Sequence, residues 1–138
     1  VKLTAKLFAV LALLLAASAA WAQDKVVYHF DSGLEQATKG LRNISNQLEV
    51  DPKAKIIAVT HADGVDFLME GAKDRLGPFD ARVQDLMGKG VRFQVCEITL
   101  RNRKLKKDQF IIGVEFVPSG VAQITHLQQR EGYAYLKP

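Results

Sequence analysis

The chain has little of what usually announces a chemistry. A single cysteine among 138 residues excludes an internal disulfide framework and leaves a free thiol or a bridge to another chain. That cysteine and the three histidines have no close metal-ligand spacing, so no zinc site is expected. The glycines form neither G-x-G-x-x-G nor a P-loop, and there is no G-x-S-x-G elbow. Nucleotide and serine-hydrolase chemistry therefore lack support, and no cofactor is expected. An excess of one sign of charge is lacking as well, with 19 Lys+Arg against 15 Asp+Glu. Basic residues gather at Arg101, Arg103, Lys104, Lys106 and Lys107, but no aromatics interleave with them as a nucleic-acid platform requires, so they read as a solvated face. No repeat, low-complexity tract or linker interrupts the chain. What is present is 48% apolar residues, enough for one compact domain rather than disorder.

Residues 1–22 stand apart. Lys2 and Lys6 precede an apolar run from Leu7 to Ala17, and Ala20-Trp21-Ala22 places small residues where a signal peptidase cuts, so a secretory signal cleaved before Gln23 is expected. The run is about half the roughly 20 residues that span a bilayer, which favours cleavage over a retained anchor. No lipobox cysteine accompanies the junction, and the Val1 start is read as an alternative start codon. Export, to a periplasm in particular, follows, with no membrane association after cleavage. Removing the signal takes two lysines with it and lowers the net charge of +4 by two, so the alkaline balance says little about partners.

Residues 23–138 alternate strands with helices. Lys25 to Phe30 is β-branched and aromatic and runs into Asp31-Ser32-Gly33, a strand followed by a helix start. Leu34, Ala37, Leu41, Ile44 and Leu48 recur at helical spacing up to the Asp51-Pro52 stop. Lys55 to Thr60 is a second strand, His61-Ala62-Asp63-Gly64 a turn, and Val65 to Gly71 a short helix. After the Gly77-Pro78 break, Phe79, Val83, Leu86 and Met87 share a helix face that ends at Gly88 or Gly90. Val91 to Val95 alternates as a third strand and delivers Cys96. Glu97 to Lys107 reads as a short basic helix and Phe110 to Val117 as an extended stretch. Pro118-Ser119-Gly120 opens a helix with Val121, Ile124 and Leu127 as its buried stripe, and Tyr133 to Leu136 closes the chain as a short strand. The order predicts a three-layer α/β domain over 23–138, with a mostly parallel sheet of about five strands and helices on both faces.

In such sheets the crevice lies beyond the carboxyl ends of the strands. His29, Asp31 and Ser32 finish the first strand, His61 and Asp63 the second, Cys96 the third, and Ser119 and Gly120 follow the fourth. Cys96, at a strand end before a helix, meets the positive end of the helix dipole, which favours thiolate, and Arg101 and Arg103 are expected to add to that. The alternative is a buried structural cysteine. His61 is a polarising partner for Cys96 or a strand-end group bonded to backbone. His29 reads as a satisfied core or sheet-face histidine, and His126 as solvent-facing. Ser119 is an N-cap whose helix start, with Gly120, can hold an anion.

The stretches V-V-Y-H-F-D at Val26 to Asp31, V-T-H-A-D-G-V-D-F-L at Val59 to Leu68, G-V-R-F-Q-V-C-E-I-T-L at Gly90 to Leu100, V-P-S-G-V at Val117 to Val121 and L-Q-Q-R-E-G-Y-A-Y-L-K-P at Leu127 to Pro138 carry a resemblance in their order and spacing. The chain resembles the DsrE/DsrF-like sulfur-relay proteins, in particular their exported, stand-alone branch. The resemblance implies a flavodoxin-like α/β fold, assembly as a homotrimer or hexamer, and a cysteine that accepts sulfane sulfur as a persulfide and passes it on. Cys96, in V-C-x-x-T-L, matches the cysteine of the stand-alone branch. Cytoplasmic relay subunits act in heteromeric complexes, whereas an export signal separates this chain from tRNA modification. The expectation is an exported sulfur carrier or sulfurtransferase-like protein using Cys96, with sulfur donor and acceptor proteins as partners. The alternative is a non-catalytic module of the same fold that binds a small ligand or a partner. A third reading is redox sensing through an intermolecular Cys96 disulfide.

Overall fold

The computed structural model describes residues 23–138; the secretory-signal reading falls on 1–22, outside the described residues. Five strands, β1 (Lys25–Phe30), β2 (Lys55–Thr60), β5 (Arg92–Cys96), β6 (Glu115–Val117) and β7 (Ala134–Leu136), form one parallel sheet in the order β6-β5-β2-β1-β7. The helices are α1 (Leu34–Val50), α2 (Phe79–Gly88), α3 (Glu97–Arg103) and α4 (Gly120–Glu131). No helix among the described residues is long and apolar enough to cross a membrane.

Strand order dictates which face each helix covers. The chain steps in one direction from β1 to β2, β5 and β6, and right-handed crossovers then place the intervening helices on one face. The return from β6 at one edge to β7 at the other reverses direction and sends α4 to the opposite face. The buried residues divide accordingly. Tyr28, Phe30, Ile56, Ala58, Phe93 and Val95 from the strands pack with Leu41 and Ile44 of α1, Val83 and Leu86 of α2 and Leu100 of α3. On the other face Val27, Ile57 and Val59 meet Ile124, Leu127 and Tyr133, and these six form the whole cluster.

Local chemistry sets the element ends. Gln36 in the first turn of α1 accepts through Oε1 from the N–H groups of Asp31 and Ser32 at 2.9 and 2.8 Å, tying the loop after β1 to a helix whose cap residue Gly33 has no side chain. Pro52, beyond the Asp51 cap, has no N–H to continue α1. Gly132 ends α4 at φ 73°, a left-handed cap that glycine adopts without strain.

Five details differ from the pattern reading. The short helix expected over Val65 to Gly71 is a 3₁₀ segment at Ala62–Leu68, started earlier by Gly64, whose N–H bonds His61 O at 2.9 Å. Lys73–Asp74 and Gly77–Pro78 form a small antiparallel hairpin, β3 and β4, clamped by Arg82, which meets Asp74 in two bonds of 2.9 and 3.0 Å. The basic helix expected to Lys107 ends at Arg103 because Lys104 turns left-handed at φ 56°, and only Glu115–Val117 of the Phe110 to Val117 stretch is strand. Finally, Val121 is 59% exposed; Gly120, Ile124 and Leu127 are the buried residues of α4.

Candidate functional site

The register of the sheet collects the chemistry. Because side chains alternate along a strand, His29 lies on the same face as Val27, and His61 on the same face as Val59, the α4 face. His29 is level with Val59 on the neighbouring strand, so His61 is its diagonal neighbour at the carboxyl edge. Cys96, level with Val117, ends β5 two residues beyond Gln94 and shares that face.

Cys96 closes β5 and is the cap residue of α3. It is 5% exposed, and burial pushes its thiol pKa up. That push is outweighed by hydrogen bonds from the backbone of Gly120, from Thr99 through both backbone and hydroxyl, and from the backbone of Ile98, so the net shift is downward. The N–H groups belong to the first turns of two helices, α3 and α4, which favour negative charge at the sulfur. Arg101 and Arg103 do not supply this effect. Arg101 is exposed, and Arg103 is engaged with Asp66 at 2.6 Å and the carbonyl of Ala62 at 3.1 Å.

Around the thiol lies a cleft of about 410 Å³ that includes His61, Asp63, Ile98, Thr99, Arg103, Ser119 and Val121 in its lining. Ser119 Oγ accepts from the Ala122 N–H at 3.4 Å, the N-cap role expected of it. Gly120 is a close approach. A Cβ there would lie 3.2 Å from His61 Cβ, 3.3 Å from Cys96 Cβ and 3.4 Å from Thr60 O, so the bare backbone of α4 fits between the two strand-end residues. Thr99 is a site residue that residue-type reasoning passed over. Its hydroxyl also accepts from the Ala62 N–H at 2.9 Å, and Ala62 sits at φ 50°, a left-handed conformation costing a non-glycine residue about 1–2 kcal/mol. A threonine three residues after a helix cap was the signal available.

His61 does not turn its Nε2 towards the cysteine. It meets His29 Nε2 at 2.7 Å, with the rings stacked at 4.8 Å and 26°. His29 Nδ1 in turn meets the Tyr135 hydroxyl at 2.6 Å. Burial, the neighbouring His61 and Lys137 lower the His29 pKa, partly offset by Asp31. Burial alone would raise the Asp31 carboxyl, but bonds from Lys137 and Ser32, with the charges of His29 and Lys137, hold it down at about 2. His29, Asp31 and His61 each offer a ligand atom, and these lie within 4.8 Å of one another. Spacing in the sequence missed this group because two parallel strands, rather than one turn of helix, bring it together. His126 is exposed, as expected, and meets Glu131 at 3.0 Å.

Comparison with known proteins agrees with the fold. The chain superposes on a protein of unknown function, MTH1491 from Methanobacterium thermoautotrophicum, with 32% identity and a TM-score of 0.77 over 84% of this chain and all of that one. The ychN protein from E. coli matches at 18% identity and a TM-score of 0.68 over 84% and 99% of the two chains. BT1422 from Bacteroides thetaiotaomicron, also of unknown function, matches at 12% and 0.63 over 87% and 99%. These last two likenesses concern the fold alone. No curated protein sequence matches. The DsrE/DsrF-like family model matches residues 4–138, nearly the entire length, and the chain belongs to the DsrE/DsrF-like family.

Proposed function

We propose that this is an exported sulfur carrier of the sulfurtransferase-like kind, holding sulfane sulfur on Cys96 as a persulfide. One observation carries the reading: the sole thiol lies at the carboxyl edge of the sheet, against N–H groups from two helix starts, beside an open cleft. Family membership supports a sulfur-relay role. The Cys96 thiolate attacks the outer sulfur of a donor R–S–SH. The new S–S bond forms as the donor's S–S bond breaks, R–S⁻ departs and takes up the proton, and no net oxidation occurs. An acceptor thiolate then removes the outer sulfur by the same exchange and restores Cys96. Ser119 and Gly120 at the α4 start are the groups for an incoming anionic sulfur species.

Intact mass spectrometry of the protein after treatment with inorganic polysulfide tests this. The expected result is an adduct of one sulfur atom that a reductant removes and that Cys96→Ser lacks. An adduct that persists in Cys96→Ser, or none on the unaltered protein, overturns it. The burial of Cys96 favours a second reading, a non-catalytic module binding a small ligand or partner, which predicts slow iodoacetamide labelling of the native thiol together with no sulfur adduct. As part of the first reading the protein is a homo-oligomer, trimer or hexamer, and light scattering that gives a monomer removes that part.

A further inference from the structure

We propose that His29, His61 and Asp31 form a binding site for a divalent transition-metal cation of the imidazole-preferring kind, typified by Zn²⁺. The site adjoins the Cys96 cleft through His61, but Cys96 itself lies outside the three-residue group. Three features carry the inference. Two ring nitrogens, His29 Nε2 and His61 Nε2, aim at each other at 2.7 Å, and a carboxylate completes a set whose ligand atoms all lie within 4.8 Å. Zinc bonds of about 2.0–2.1 Å to each nitrogen require a separation of about 3.3 Å at a tetrahedral angle, so the rings need part only slightly. The partners behind the ligands are those that metal ligands need. Tyr135 holds His29 Nδ1 at 2.6 Å, while Ser32 and Gln36 hold Asp31 Oδ1 at 2.9 and 3.3 Å. Such contacts fix ring tautomer and carboxylate orientation. All three ligands are half-buried, which limits competition from water while leaving a way in.

Ligand softness selects the ion. Two imidazoles and one carboxylate suit Zn²⁺, Cu²⁺, Ni²⁺ or Co²⁺, whereas Mg²⁺ and Ca²⁺ prefer all-oxygen sites. Binding uses both Nε2 lone pairs, so the proton shared between the rings leaves that position. On His29 the ring proton then sits on Nδ1, where the Tyr135 oxygen accepts it. Lys137 opposes the cation, because its ammonium lies 2.6 Å from Asp31 Oδ2. That opposition yields a diagnostic variant, since removing the ammonium frees the carboxylate and should tighten binding.

The test is isothermal titration calorimetry of the protein with ZnCl₂ in a non-chelating buffer, alongside Co²⁺ absorption. The expected result is one Zn²⁺ per chain, with affinity reduced by more than about 100-fold in His29→Ala and His61→Ala, more than outer partners usually cost. Tyr135→Phe should weaken binding about tenfold, and Lys137→Met should strengthen it. Co²⁺ should give ligand-field bands without a thiolate charge-transfer band, unchanged by Cys96→Ser. Circular dichroism of each variant establishes that it is folded, and His61→Gln serves if His61→Ala is not. Absence of Zn²⁺ binding, binding that survives both histidine changes, or a thiolate band lost in Cys96→Ser overturns the proposal. None of these outcomes depends on whether Cys96 carries sulfur.

Discussion

The two faces of the sheet contrast in cover and in content. One is sealed by α1, α2, α3 and the 3₁₀ segment, with Phe67 at the centre of a ring cluster whose centroids lie 5.1 Å from Phe30, 5.8 Å from Phe79 and 6.2 Å from Phe93. The other has α4 alone and a hydrophobic cluster of six residues. Beyond that small cluster its strands carry polar groups: Arg92 in a two-bond pair with Glu115, Gln94 bonded to the same carboxylate, then His29, His61 and Cys96 towards the carboxyl edge. The contrast teaches a division of labour. Apolar burial on the sealed face stabilises the fold, and the lightly covered face can then tolerate titratable groups.

The comparison breaks if stability does not follow cover. Phe67→Ala is expected to cost about 3–5 kcal/mol in urea unfolding, as removal of a buried aromatic does. Leu127→Ala, under α4, should cost about 2 kcal/mol, the low end for a buried leucine, because it has fewer neighbours to lose. Equal losses at the two positions would erase the distinction. Gly120→Ala sharpens it from the chemical side. Overpacking of about 1 kcal/mol should leave the protein folded, yet displace the α4 N–H from the Cys96 sulfur and slow iodoacetamide labelling several-fold.

Acid reaches the sealed face through the hairpin. Burial would raise the Asp74 carboxyl, but bonds from Arg82, Thr38 and the Leu76 N–H hold it at about 2, below an ordinary Asp near 3.9. The unfolded chain therefore binds the proton more readily, and this stabilisation is complete above about pH 4 and lost as pH falls through about 2. Thermal unfolding followed by circular dichroism from pH 5 to pH 2 should show that decline, and Asp74→Asn should make it shallower, leaving the share of Asp31, which is held at about 2 as well. The smallest effect belongs to Arg101→Ala. Since Arg101 is exposed and Cys96 draws its thiolate preference from backbone N–H groups and Thr99, the pH profile of thiol labelling should not move.

Much of the sealed face was legible in the residues. Periodicity places Ala37, Leu41, Ile44 and Leu48 on one side of α1, and Pro52 marks its end, because local pattern and tertiary burial agree there. Cys96 at a strand end before a helix was legible for the same reason. Val121 misled because i, i+3 spacing marks a stripe without saying how wide the opposing surface is, and a helix lying alone on a sheet buries a narrow one. The 3₁₀ segment and the β3–β4 hairpin escaped because side-chain bonds from Arg82 and the turn at Gly64 set them rather than apolar period. The His29–His61 pair was illegible by spacing. Thirty-two positions separate the two residues, and they become neighbours only once β1 and β2 are known to run parallel in that register.

Both outer strands of the sheet, β6 and β7, have three residues each, and Pro118 follows one while Lys137 and Pro138 follow the other. Short edges punctuated by proline and lysine present few open backbone groups to a passing strand. Copies of this chain are thereby steered away from joining sheet to sheet, the route by which β-rich proteins coalesce into fibres. Any orderly assembly it makes should use helices and strand-end loops rather than a continued ladder.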